Sequence, residues 1–552
     1  EQIPVLIVGA GGAGLSLSLL LHQQGIASTL IERRPDVSWV PRARNLNFRT
    51  LEVFRGLGLE EEVHAAGDHV SRSFLKETLA SPEQKEIPAL NVEAMIPPNQ
   101  QELSPEPFAM FCPQSRLEPV LLAANRRRGC DVRYGTRLIS FTQDDAGVTA
   151  TLEEIATNKS YEIHADYLVG CDGAHSRPDR FNLSAADLRH PHIRELLGIQ
   201  SQGYGPLPEY FIYIYFRAPW QPLMAGHEAD AFLIKNAEVQ GIFMNGKDEF
   251  GAFLLNYHPD QGESYEAFTR ERCQYLIEQA IGQPGMKVEI LDVVHWQPAE
   301  VVAEQFQKGR VFLVGDAAHT MPAYKGLGLN TAVQTAQNLA WKLAAVIDGK
   351  AEPELLATYQ VERHPVGRFA AHQSLTGPGA ATVLGDAKSS LRPEEDLPMF
   401  YPMVGYRYRS LAIITDDAAA TEQEIALLDR QELTGLPGTR VPHLWLERQG
   451  QRISTLDLLD GRFVLLTGET GWSEAAVAAA EKLGIRLAAY RVGAYGDLRD
   501  VENNWQARMG VPAEGAVLVR PDGFVAWRTN ALATDPELKL EQVLSSILCR
   551  SK

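Results

Sequence analysis

The apolar residues at the start of the chain change their spacing twice within about forty positions. Residues 5–8 form a continuous apolar run, which is typical of a strand buried on both faces of a parallel sheet. The next segment carries Leu15 and Leu19 at a helical spacing and ends at Gly25, and residues 28–31 are strand-like again. The order strand, helix, strand predicts a βαβ unit that opens an α/β domain.

Similar patterns recur further along the chain. Residues 167–170 and 311–314 are apolar runs that lead into turns containing Gly and Asp, which predicts two more buried strands. Apolar residues then recur at steps of three and four before Gly349: Val333, Ala336, Ala340, Leu343 and Ile347. This spacing predicts an amphipathic helix, for which Asn330 is a suitable N-cap.

The middle and the end of the chain follow other patterns. Short β-prone runs at 211–216, 231–234, 241–244 and 252–257 predict an inserted antiparallel sheet. Residues 374–398 are rich in Gly, Pro, Ser and acidic residues, which indicates a domain boundary. Beyond it, a strand, a helix, a strand and a hairpin predict a second α/β unit: residues 463–466, 474–483, 486–492 and 517–527.

The composition restricts the possible partners. The 552 residues suffice for several domains with a large core. With 52 Lys and Arg against 70 Asp and Glu, the net charge is −18, which disfavours nucleic acid and anionic lipid as partners. No apolar run reaches the roughly 18 residues that a membrane span needs. The five cysteines form no CxxC pair, so we expect no disulfide framework, no metal site and a reducing, cytoplasmic location. Because no basic stretch precedes the first predicted strand, we also expect no secretory signal.

The turn after the first predicted strand has the sequence Gly-x-Gly-x-x-Gly. Three glycines form it: Gly9, Gly11 and Gly14. Such a turn lets N–H groups at a helix N-terminus approach a pyrophosphate, and Glu32 at the end of the second strand can accept hydrogen bonds from a ribose. The sequence therefore predicts a dinucleotide site. Arg33 and Arg34 indicate either a reader of the 2′-phosphate of NADP or a solvated strand end.

Two distant turns narrow the dinucleotide to FAD. Cys-Asp-Gly around Asp172 and Gly-Asp-Ala around Asp316, together with the glycine-rich turn, resemble the motifs of FAD-dependent aromatic hydroxylases, the family of para-hydroxybenzoate hydroxylase. The resemblance implies that Asp316 binds the ribityl chain and the pyrophosphate region of FAD. It also implies that Asp172 lies near both FAD and NAD(P)H. From the residues alone, each turn is only a strand end with a solvated aspartate.

A third segment resembles the family sequence Pro-x-x-x-Gly-x-Gly-x-Asn, which holds the isoalloxazine. Its matching residues are Pro322, Gly326, Gly328, Leu329 and Asn330. The resemblance places the N-terminus of the predicted helix beside the flavin, where its N–H groups and dipole would stabilise the negative charge of the reduced ring. Many relatives have two consecutive prolines here, whereas Ala323 follows Pro322 in this chain. We therefore expect the floor of the pocket to differ in shape.

Two further segments extend the predicted site. Residues 41–52 resemble the family's Pro-Arg-Ala segment, in which we expect Arg42 to contact a phosphate or the flavin and Asn47 to lie on the flavin side. A surface arginine ahead of a helix is the alternative for Arg42. Gln114 matches a glutamine that reaches the ribityl chain, and helix capping is its alternative.

The resemblance also assigns a role to the predicted antiparallel sheet. It implies that the sheet covers the isoalloxazine and forms the substrate cavity, although a core position also explains most of its apolar residues. We identify no catalytic base. The chain inserts residues 177–192 near the expected approach of NAD(P)H, and a solvated loop or a cofactor-gating loop are both open interpretations.

The C-terminal unit resembles the thioredoxin-like domain of phenol hydroxylases and of hydroxylases that act on aromatic polyketides. Residues 467–472 read Thr-Gly-Glu-Thr-Gly-Trp in place of CxxC. This excludes thiol chemistry and favours a role in packing or assembly. The run at 405–410 favours the aromatic polyketide group.

The sequence thus predicts an α/β protein of three domains. These are a Rossmann-like FAD-binding domain (1–175 and 285–395), an inserted antiparallel β-sheet domain for the substrate (176–284 with part of 72–110), and a thioredoxin-like C-terminal domain without CxxC (396–552). The resemblance implies a monooxygenase, as a monomer or homodimer, that hydroxylates a small phenolic or polycyclic, polyketide-like aromatic substrate. It would use FAD, NADH or NADPH, and O₂ through a flavin C4a-hydroperoxide.

Three alternative functions stay open from the sequence. A Baeyer–Villiger-type oxygenase would use the same scaffold on a ketone. A flavin-dependent halogenase is disfavoured because the WxWxIP signature is absent. A flavin-binding sensor or assembly subunit would bind the cofactor without turnover.

Overall fold

The computed structural model describes residues 1–39, 43–68, 72–88, 91, 95–174, 192–224, 231–246, 249–377, 380, 395–415 and 425–550. Arg42 and the insertion at 177–191 lie outside the described residues. Within the described ranges, every helix is too short or too polar to cross a membrane.

An eight-stranded sheet forms the core of the N-terminal domain. Its main path runs in the order Gln307–Lys308, Val311–Leu313, Lys159–Gly170, Gln2–Val8, Ser28–Glu32 and Asp131–Tyr134. All neighbours on this path are parallel except the first pair. Two antiparallel strands, Thr136–Gln143 and Val148–Glu154, pair beside Lys159–Gly170. The predicted βαβ unit and the two later buried strands are confirmed as parts of one α/β sheet.

Two helices pack against each other in the core of this domain, Gly12–Gln24 and Gly328–Ile347. Most residues of Gly12–Gln24 are buried, as expected for a helix that is covered on both sides. Gly25 then adopts a φ of 86°, the left-handed conformation that ends a helix. The apolar stripe predicted for the second helix is buried at its first four positions, and Ile347 near the helix end is partly buried.

Shorter elements surround these two helices. Among the described residues the further helices of this part are Phe48–Gly56, Glu60–Ala66, Gln100–Leu103, Gln114–Arg127, Ile193–Leu196, Arg270–Ile281, Glu354–Gln373 and Phe400–Met403. Two antiparallel pairs of short strands join Asn45–Asn47 to Ala109–Phe111 and Tyr406–Arg407 to Ala426–Leu427.

A second large sheet forms the inserted unit. Its strands run in the order Glu289–Trp296, Tyr210–Arg217, Phe250–Tyr257, Gln240–Asn245, Ala231–Lys235, Ser73–Lys76 and Lys85–Glu86. All neighbours are antiparallel except Ala231–Lys235 and Ser73–Lys76. The edge strand Glu289–Trp296 belongs to this sheet, although the sequence placed residues 285–395 in the FAD-binding domain. The physical reason is its pairing with Tyr210–Arg217, which a single apolar run does not reveal.

A small antiparallel sheet links the two large ones. It consists of Ser201–Pro206, Ala299–Ala303 and His319–Thr320. The strand Ala299–Ala303 follows the edge strand of the second sheet, and His319–Thr320 follows the turn at Asp316. The position of that turn is therefore coupled to the second sheet through main-chain hydrogen bonds.

The C-terminal domain is built on a four-stranded mixed sheet. Its order is Leu487–Arg491, Phe463–Thr467, Ala516–Val519 and Val525–Thr529. Helix Thr470–Leu483 joins the first two strands in parallel, and helices Trp505–Met509 and Pro536–Ile547 flank the hairpin in sequence. A small sheet of Gln451–Ser454, Trp445–Arg448 and Arg499–Asp500 completes it. This is the strand and helix order that the sequence predicts, with a first helix that begins at Thr470 rather than at 474.

A buried cluster of charges joins the N-terminal part to the C-terminal domain. The Glu362 carboxylate accepts hydrogen bonds from Lys342 Nζ at 2.8 Å and from Arg520 Nη1 and Nη2 at 2.6 and 2.9 Å. Asn338 Nδ2 donates to Glu362 at 2.6 Å, and Arg520 Nε donates to Asp522 at 3.0 Å. Burial alone raises the pKa of Glu362, but Arg520 and Lys342 hold it well below its usual range. The carboxylate therefore stays ionised inside the protein.

We expect Glu362→Gln to lower the free energy of unfolding by about 3–5 kcal/mol, because it leaves two buried cations short of a counter-charge. Denaturant titration and calorimetry of the full chain measure the loss. The same type of change in the surface pair of Lys482 and Glu541, Glu541→Gln, is the control and should leave stability nearly unchanged. Equal losses in the two variants would contradict a docking role for the cluster.

The cluster also predicts a pH dependence. Because the folded pKa of Glu362 lies below its ordinary value of 4.5, its ionisation stabilises the folded chain above that pH. The stabilisation is lost as the pH falls towards the folded pKa. As the pH falls from about 5 to about 3, the denaturant concentration at the midpoint of unfolding should therefore fall more steeply for the wild type than for Glu362→Gln. If the two midpoints change in parallel with pH, this assignment is contradicted.

Candidate active site

The glycine-rich turn brings main-chain segments close together. Gly9 has a φ of 106°, and a Cβ atom there would lie 2.3 Å from the carbonyl oxygen of Cys171. A Cβ atom on Gly14 would lie 2.0 Å from the carbonyl oxygen of Gly9. At Gly11, by contrast, the nearest described atoms belong to two side chains at 3.6 and 3.8 Å. Packing thus requires two of the glycines, while the third leaves the main chain accessible to a ligand.

The helix that starts after this turn provides an anion site. Gly12–Gln24 has Gly11 as its N-cap residue and no acidic residue in its first turn. The first N–H groups of a helix lack intrahelical partners, and the helix dipole favours negative charge at this end. A phosphate group at Gly11 would satisfy both requirements.

Glu32 lies next to this turn, where the sequence places a ribose acceptor. It is buried, and its carboxylate accepts a hydrogen bond from the Ala10 N–H at 2.9 Å and another from Arg34 Nε at 3.1 Å. Burial alone raises the pKa of Glu32, but the Arg34 guanidinium and these hydrogen bonds hold it below its usual value. Arg33 is half-buried beside it. Arg34, which the sequence offered with Arg33 as a reader of a 2′-phosphate, is the residue that pairs with Glu32.

Asp172 lies directly next to the glycine-rich turn. Its Cα atom is 3.1 Å from the position that a Cβ atom on Gly9 would take. Its carboxylate accepts a hydrogen bond from the Ile193 N–H at 2.9 Å and lies 3.1 Å from Nδ1 of His192. The carboxylate thus holds the start of helix Ile193–Leu196, close to the predicted cofactor.

Asp316 lies where two helix N-termini converge. It is exposed in the turn Gly315–Ala317. Gly315 has a φ of 68°, and a Cβ atom there would lie 3.1 Å from Cβ of Ala13 and 3.4 Å from Cβ of Ala332. These two alanines belong to the first turns of helices Gly12–Gln24 and Gly328–Ile347, respectively. The motif therefore joins the glycine-rich turn to the second helix.

The segment from Pro322 onwards forms the entry to that second helix. A short turn of 3₁₀ helix at Ala323–Lys325 ends at Gly326, which has a φ of 63°. The long helix begins at Gly328, with Leu327 as its N-cap residue. The prediction of Asn330 as the N-cap is wrong, since the helix starts two residues earlier. The first helical turn thus includes Gly328, Leu329 and the main chain of Asn330. Its N–H groups follow Gly326 in the chain and have no partners within the helix.

The side chain of Asn330 holds this segment in place. Its Nδ2 donates to the carbonyl oxygens of Gly326 at 2.7 Å and Asn45 at 2.9 Å, and its Oδ1 accepts from the Asn47 N–H at 2.9 Å. The Asn47 side chain in turn accepts a hydrogen bond from the Thr50 N–H at 3.0 Å and caps helix Phe48–Gly56. Both amides are buried, and the bonds of Asn330 and of the Asn47 oxygen all go to main-chain groups of the protein. They position the segment.

Gln114 faces the glycine-rich turn but does not cap its helix. It is the first residue of Gln114–Arg127, and its amide donates to Glu118 at 2.5 Å. Burial raises the pKa of Glu118. Arg44, near the position expected for Arg42, lies with its guanidinium 5.8 Å from the Phe111 ring centroid. Its buried Nη1 has no hydrogen-bonding partner among the described residues, and the main chain on either side of it is hydrogen-bonded to the segment that leads into Gln114.

One face of the second sheet is lined with aromatic side chains. Its buried centre and its partly buried surround are Phe211, Tyr215, Met244, Ala252, Leu254, Tyr213, Ile242, Phe250, Leu291, Val294 and Trp296. Tyr213 stacks on Tyr215 with 5.7 Å between the ring centroids, and its ring lies 5.9 Å from Trp296. The opposite face of the sheet packs against helix Arg270–Ile281. The aromatic face is therefore the one available to a flat ligand.

Tyr324 connects this aromatic face to the Pro322 segment. Burial raises its pKa, and the nearby Glu209 and Tyr213 raise it further. Tyr324 also packs against the cluster of Leu207, Leu375 and Ala380. Leu207 lies three residues before strand Tyr210–Arg217, so the entry to the long helix lies beside the sheet that carries the aromatic face.

Most of the predicted residues meet in this region. The structure brings together the glycine-rich turn, Glu32, Gln114, Asp172, Asp316 and the Pro322 segment. The sequence analysis missed Arg44, Glu118, Glu209 and Tyr324, and it did not predict the pairing of Arg34 with Glu32. Arg44 was within reach, because it lies inside a motif already selected, whereas Glu209 and Tyr324 stand out only through tertiary contacts.

The arrangement fits FAD on its own geometry. A dinucleotide with a redox-active ring needs a phosphate site and a second, electropositive site for the reduced ring. The open main chain at Gly11 provides the first, and the N-terminus of helix Gly328–Ile347 provides the second. The turn at Asp316 lies between them, where the connecting chain of the cofactor would pass.

Comparison with known proteins agrees with this fit. The FAD binding domain family matches residues 2–374, and the family described as aromatic-ring hydroxylase, C-terminal, matches residues 434–551. A 4-methyl-5-nitrocatechol 5-monooxygenase of Burkholderia sp is 36% identical, with 100% of this chain and 98% of the relative covered. Aklavinone 12-hydroxylase RdmE of Streptomyces purpurascens is also 36% identical, over 100% of this chain and 99% of the relative.

Solved structures show the same similarity. The ternary complex of aklavinone-11 hydroxylase with FAD and aklavinone has a TM-score of 0.85 and 35% identity, over 99% of both chains. The flavin-dependent monooxygenase PieE in complex with FAD and substrate has a TM-score of 0.82 and 30% identity, over 100% of both chains. From these matches and the geometry of the site, the chain belongs to the FAD-dependent aromatic-ring hydroxylases, monooxygenases that use NAD(P)H and O₂.

Proposed function

We propose that this chain hydroxylates a polycyclic aromatic phenol. The observation that carries the proposal is the aromatic face of the second sheet, close to which Tyr324 of the Pro322 segment packs against the cluster of Leu207. Stacked and edge-on rings along this face suit a flat substrate of several fused rings. The names of the relatives, which include hydroxylases of aklavinone and a nitrocatechol monooxygenase, support a phenolic ring system. Family membership favours this reading over a halogenase, a Baeyer–Villiger enzyme or a flavin-binding protein without turnover.

The proposal assigns roles along the bound FAD. The pyrophosphate would lie at Gly11, a ribose at Glu32, and the connecting chain near Asp316 and Gln114. The isoalloxazine would lie at the N-terminus of helix Gly328–Ile347, above Pro322. Arg44 is the described cation that can serve an FAD phosphate, and Arg42 stays a prediction.

Bound FAD, once reduced by NAD(P)H, would activate O₂, of which one oxygen atom enters the substrate and the other leaves as water. The protein groups at the site would stabilise charge and exclude water. The N–H groups at the start of helix Gly328–Ile347 would stabilise negative charge on the reduced ring, and the apolar sheet face would keep water out. Because a phenolic oxygen makes its own ring electron-rich, the site requires no protein nucleophile.

The contacts of Glu32 also bear on the nicotinamide cofactor. Arg34 pairs with Glu32 within the turn that we assign to FAD. Because Arg34 is paired in this way, we do not assign Arg33 and Arg34 to the 2′-phosphate of NADPH in the proposal.

The strand pairing suggests a revised division into domains. We place the substrate domain at residues 207–297, together with 72–88, because these ranges contribute the strands of the second sheet. The FAD-binding domain then comprises the first large sheet and its helices up to Gln373. The cytoplasmic location and the monomeric or homodimeric state stay predictions from the sequence.

We expect Gly11→Ala to fold normally and to bind FAD at least about tenfold more weakly. Its new methyl group makes only ordinary contacts with described side chains but occupies the space needed by the pyrophosphate. FAD titration measures affinity, and circular dichroism of the apoprotein measures folding. The control is Gly493→Ala, because a Cβ atom there would meet no described atom within 4 Å. Unchanged FAD binding by Gly11→Ala would contradict the assigned phosphate position.

A panel of phenols with one to four fused rings tests the proposed reaction. Phenols of three or four rings should stimulate NAD(P)H oxidation by the FAD-loaded enzyme and yield a product heavier by one oxygen atom. Mass spectrometry identifies the product, and a peroxide assay measures uncoupled turnover. The matching hydrocarbons without a hydroxyl group serve as controls. If H₂O₂ is the only oxygen product with every phenol, the proposed reaction is wrong.

A further inference from the structure

Glu209 is a buried carboxylic acid just ahead of strand Tyr210–Arg217. Its exposed fraction is 9%, and neither carboxylate oxygen has a hydrogen-bonding partner among the described residues. An unpaired polar group in such a position costs free energy unless another molecule satisfies it. Burial also raises the pKa of Glu209. Folding alone does not account for a glutamate at this position.

The position of Glu209 in the sheet shows where it points. Successive side chains of a strand alternate between the two faces of a sheet. Phe211, Tyr213 and Tyr215 lie on the aromatic face, whereas Ile212 and Ile214 lie in the core on the other side. Glu209 has the same parity as the aromatic residues and directly precedes strand Tyr210–Arg217. It therefore belongs to the aromatic side of the sheet.

Tyr324 provides a second polar group without a described partner. Its hydroxyl oxygen is buried and has no hydrogen-bonding partner among the described residues. Tyr324 packs against the cluster that contains Leu207, two residues before Glu209, so the two groups lie in the same part of the structure. Electrostatic interaction with Glu209 also raises the pKa of Tyr324. Because Tyr324 follows Pro322 by two residues, it lies at the edge of the segment that we assign to the flavin.

We propose that Glu209 and Tyr324 together bind one phenolic hydroxyl group of the aromatic substrate. The hydroxyl hydrogen would be donated to the Glu209 carboxyl group, and the hydroxyl oxygen would accept a hydrogen bond from Tyr324. One substrate group thereby satisfies both protein groups. The inference rests on the proposed function, and it adds which oxygen of the substrate is held and by which residues.

This pairing has a consequence for regiochemistry. The held oxygen lies between the sheet and the flavin-side segment, so it fixes the rotation of a flat substrate within its own plane. Apolar stacking on Tyr213 and its neighbours fixes the plane but leaves that rotation free. Glu209 and Tyr324 are therefore positioning residues that select the ring carbon presented to the cofactor.

Binding of a matched pair of probes to the FAD-loaded enzyme tests the proposal. The probes are 2-naphthol and naphthalene, which differ by one hydroxyl group, and quenching of flavin fluorescence reports binding. We expect Glu209→Leu and Tyr324→Phe each to raise the Kd of 2-naphthol by about tenfold. The Kd of naphthalene should stay within about twofold of the wild type, because it makes no hydrogen bond. Glu209→Gln keeps a carbonyl acceptor and should retain most of the affinity for 2-naphthol.

The control variant is Tyr275→Phe. It removes a tyrosine hydroxyl that donates to Glu238 at 2.9 Å and should leave both Kd values unchanged. If the Glu209 and Tyr324 variants lose the same affinity for both probes, the residues only shape the binding site, and the proposal is overturned. Wild-type enzyme that binds 2-naphthol no more tightly than naphthalene overturns it too. Absence of a hydroxylated product from every phenol in the panel contradicts the proposed function instead.

Discussion

The arrangement of the chain depends on the ion pairs that the buried carboxylate of Glu362 forms. This carboxylate joins three segments that are far apart in sequence: the helix that carries Lys342, its own helix, and the C-terminal hairpin that carries Arg520. The helix of Lys342 is the one whose N-terminus faces the assigned flavin position. Lys342, near the C-terminal end of that helix, thus anchors the helix whose N-terminus forms part of the assigned site. Because all three side chains are withdrawn from water, none can leave without exposing an unpaired charge to the protein interior.

The site itself relies on main-chain geometry more than on charged side chains. The protein carries a net charge of −18, yet its cofactor is an anion. Helix N-termini resolve this conflict, because their N–H groups attract phosphate without adding a formal charge. Side chains such as Asn330 and Asn47 serve this geometry by fixing the turns that precede the helices. Among the buried polar groups without a described partner, Glu209 and Tyr324 are the two that we assign to a neutral aromatic molecule.

Much of the fold and part of the site follow from the sequence, for identifiable reasons. The βαβ unit and the cofactor turns were predictable because their residues are neighbours in sequence and because backbone geometry demands glycine there. The edge strand Glu289–Trp296 was not, since a strand's partner depends on pairing across distant segments. The N-cap assignment of Asn330 failed because the amide bonds to Asn45, nearly three hundred residues earlier. Glu209 and Tyr324 gave no local signal, because what distinguishes them is the absence of a described partner after folding.

The strand order of the first sheet also constrains how the chain can be made. Gln2–Val8 lies at the centre of that sheet, between Ser28–Glu32 and Lys159–Gly170. The next strand outwards, Val311–Leu313, leaves the ribosome about 300 residues after the first. At usual translation speeds that interval lasts roughly 15–60 s. The strand synthesised first must therefore wait for its sheet to be completed, and nascent chains of this protein are exposed to chaperones and proteases throughout that time.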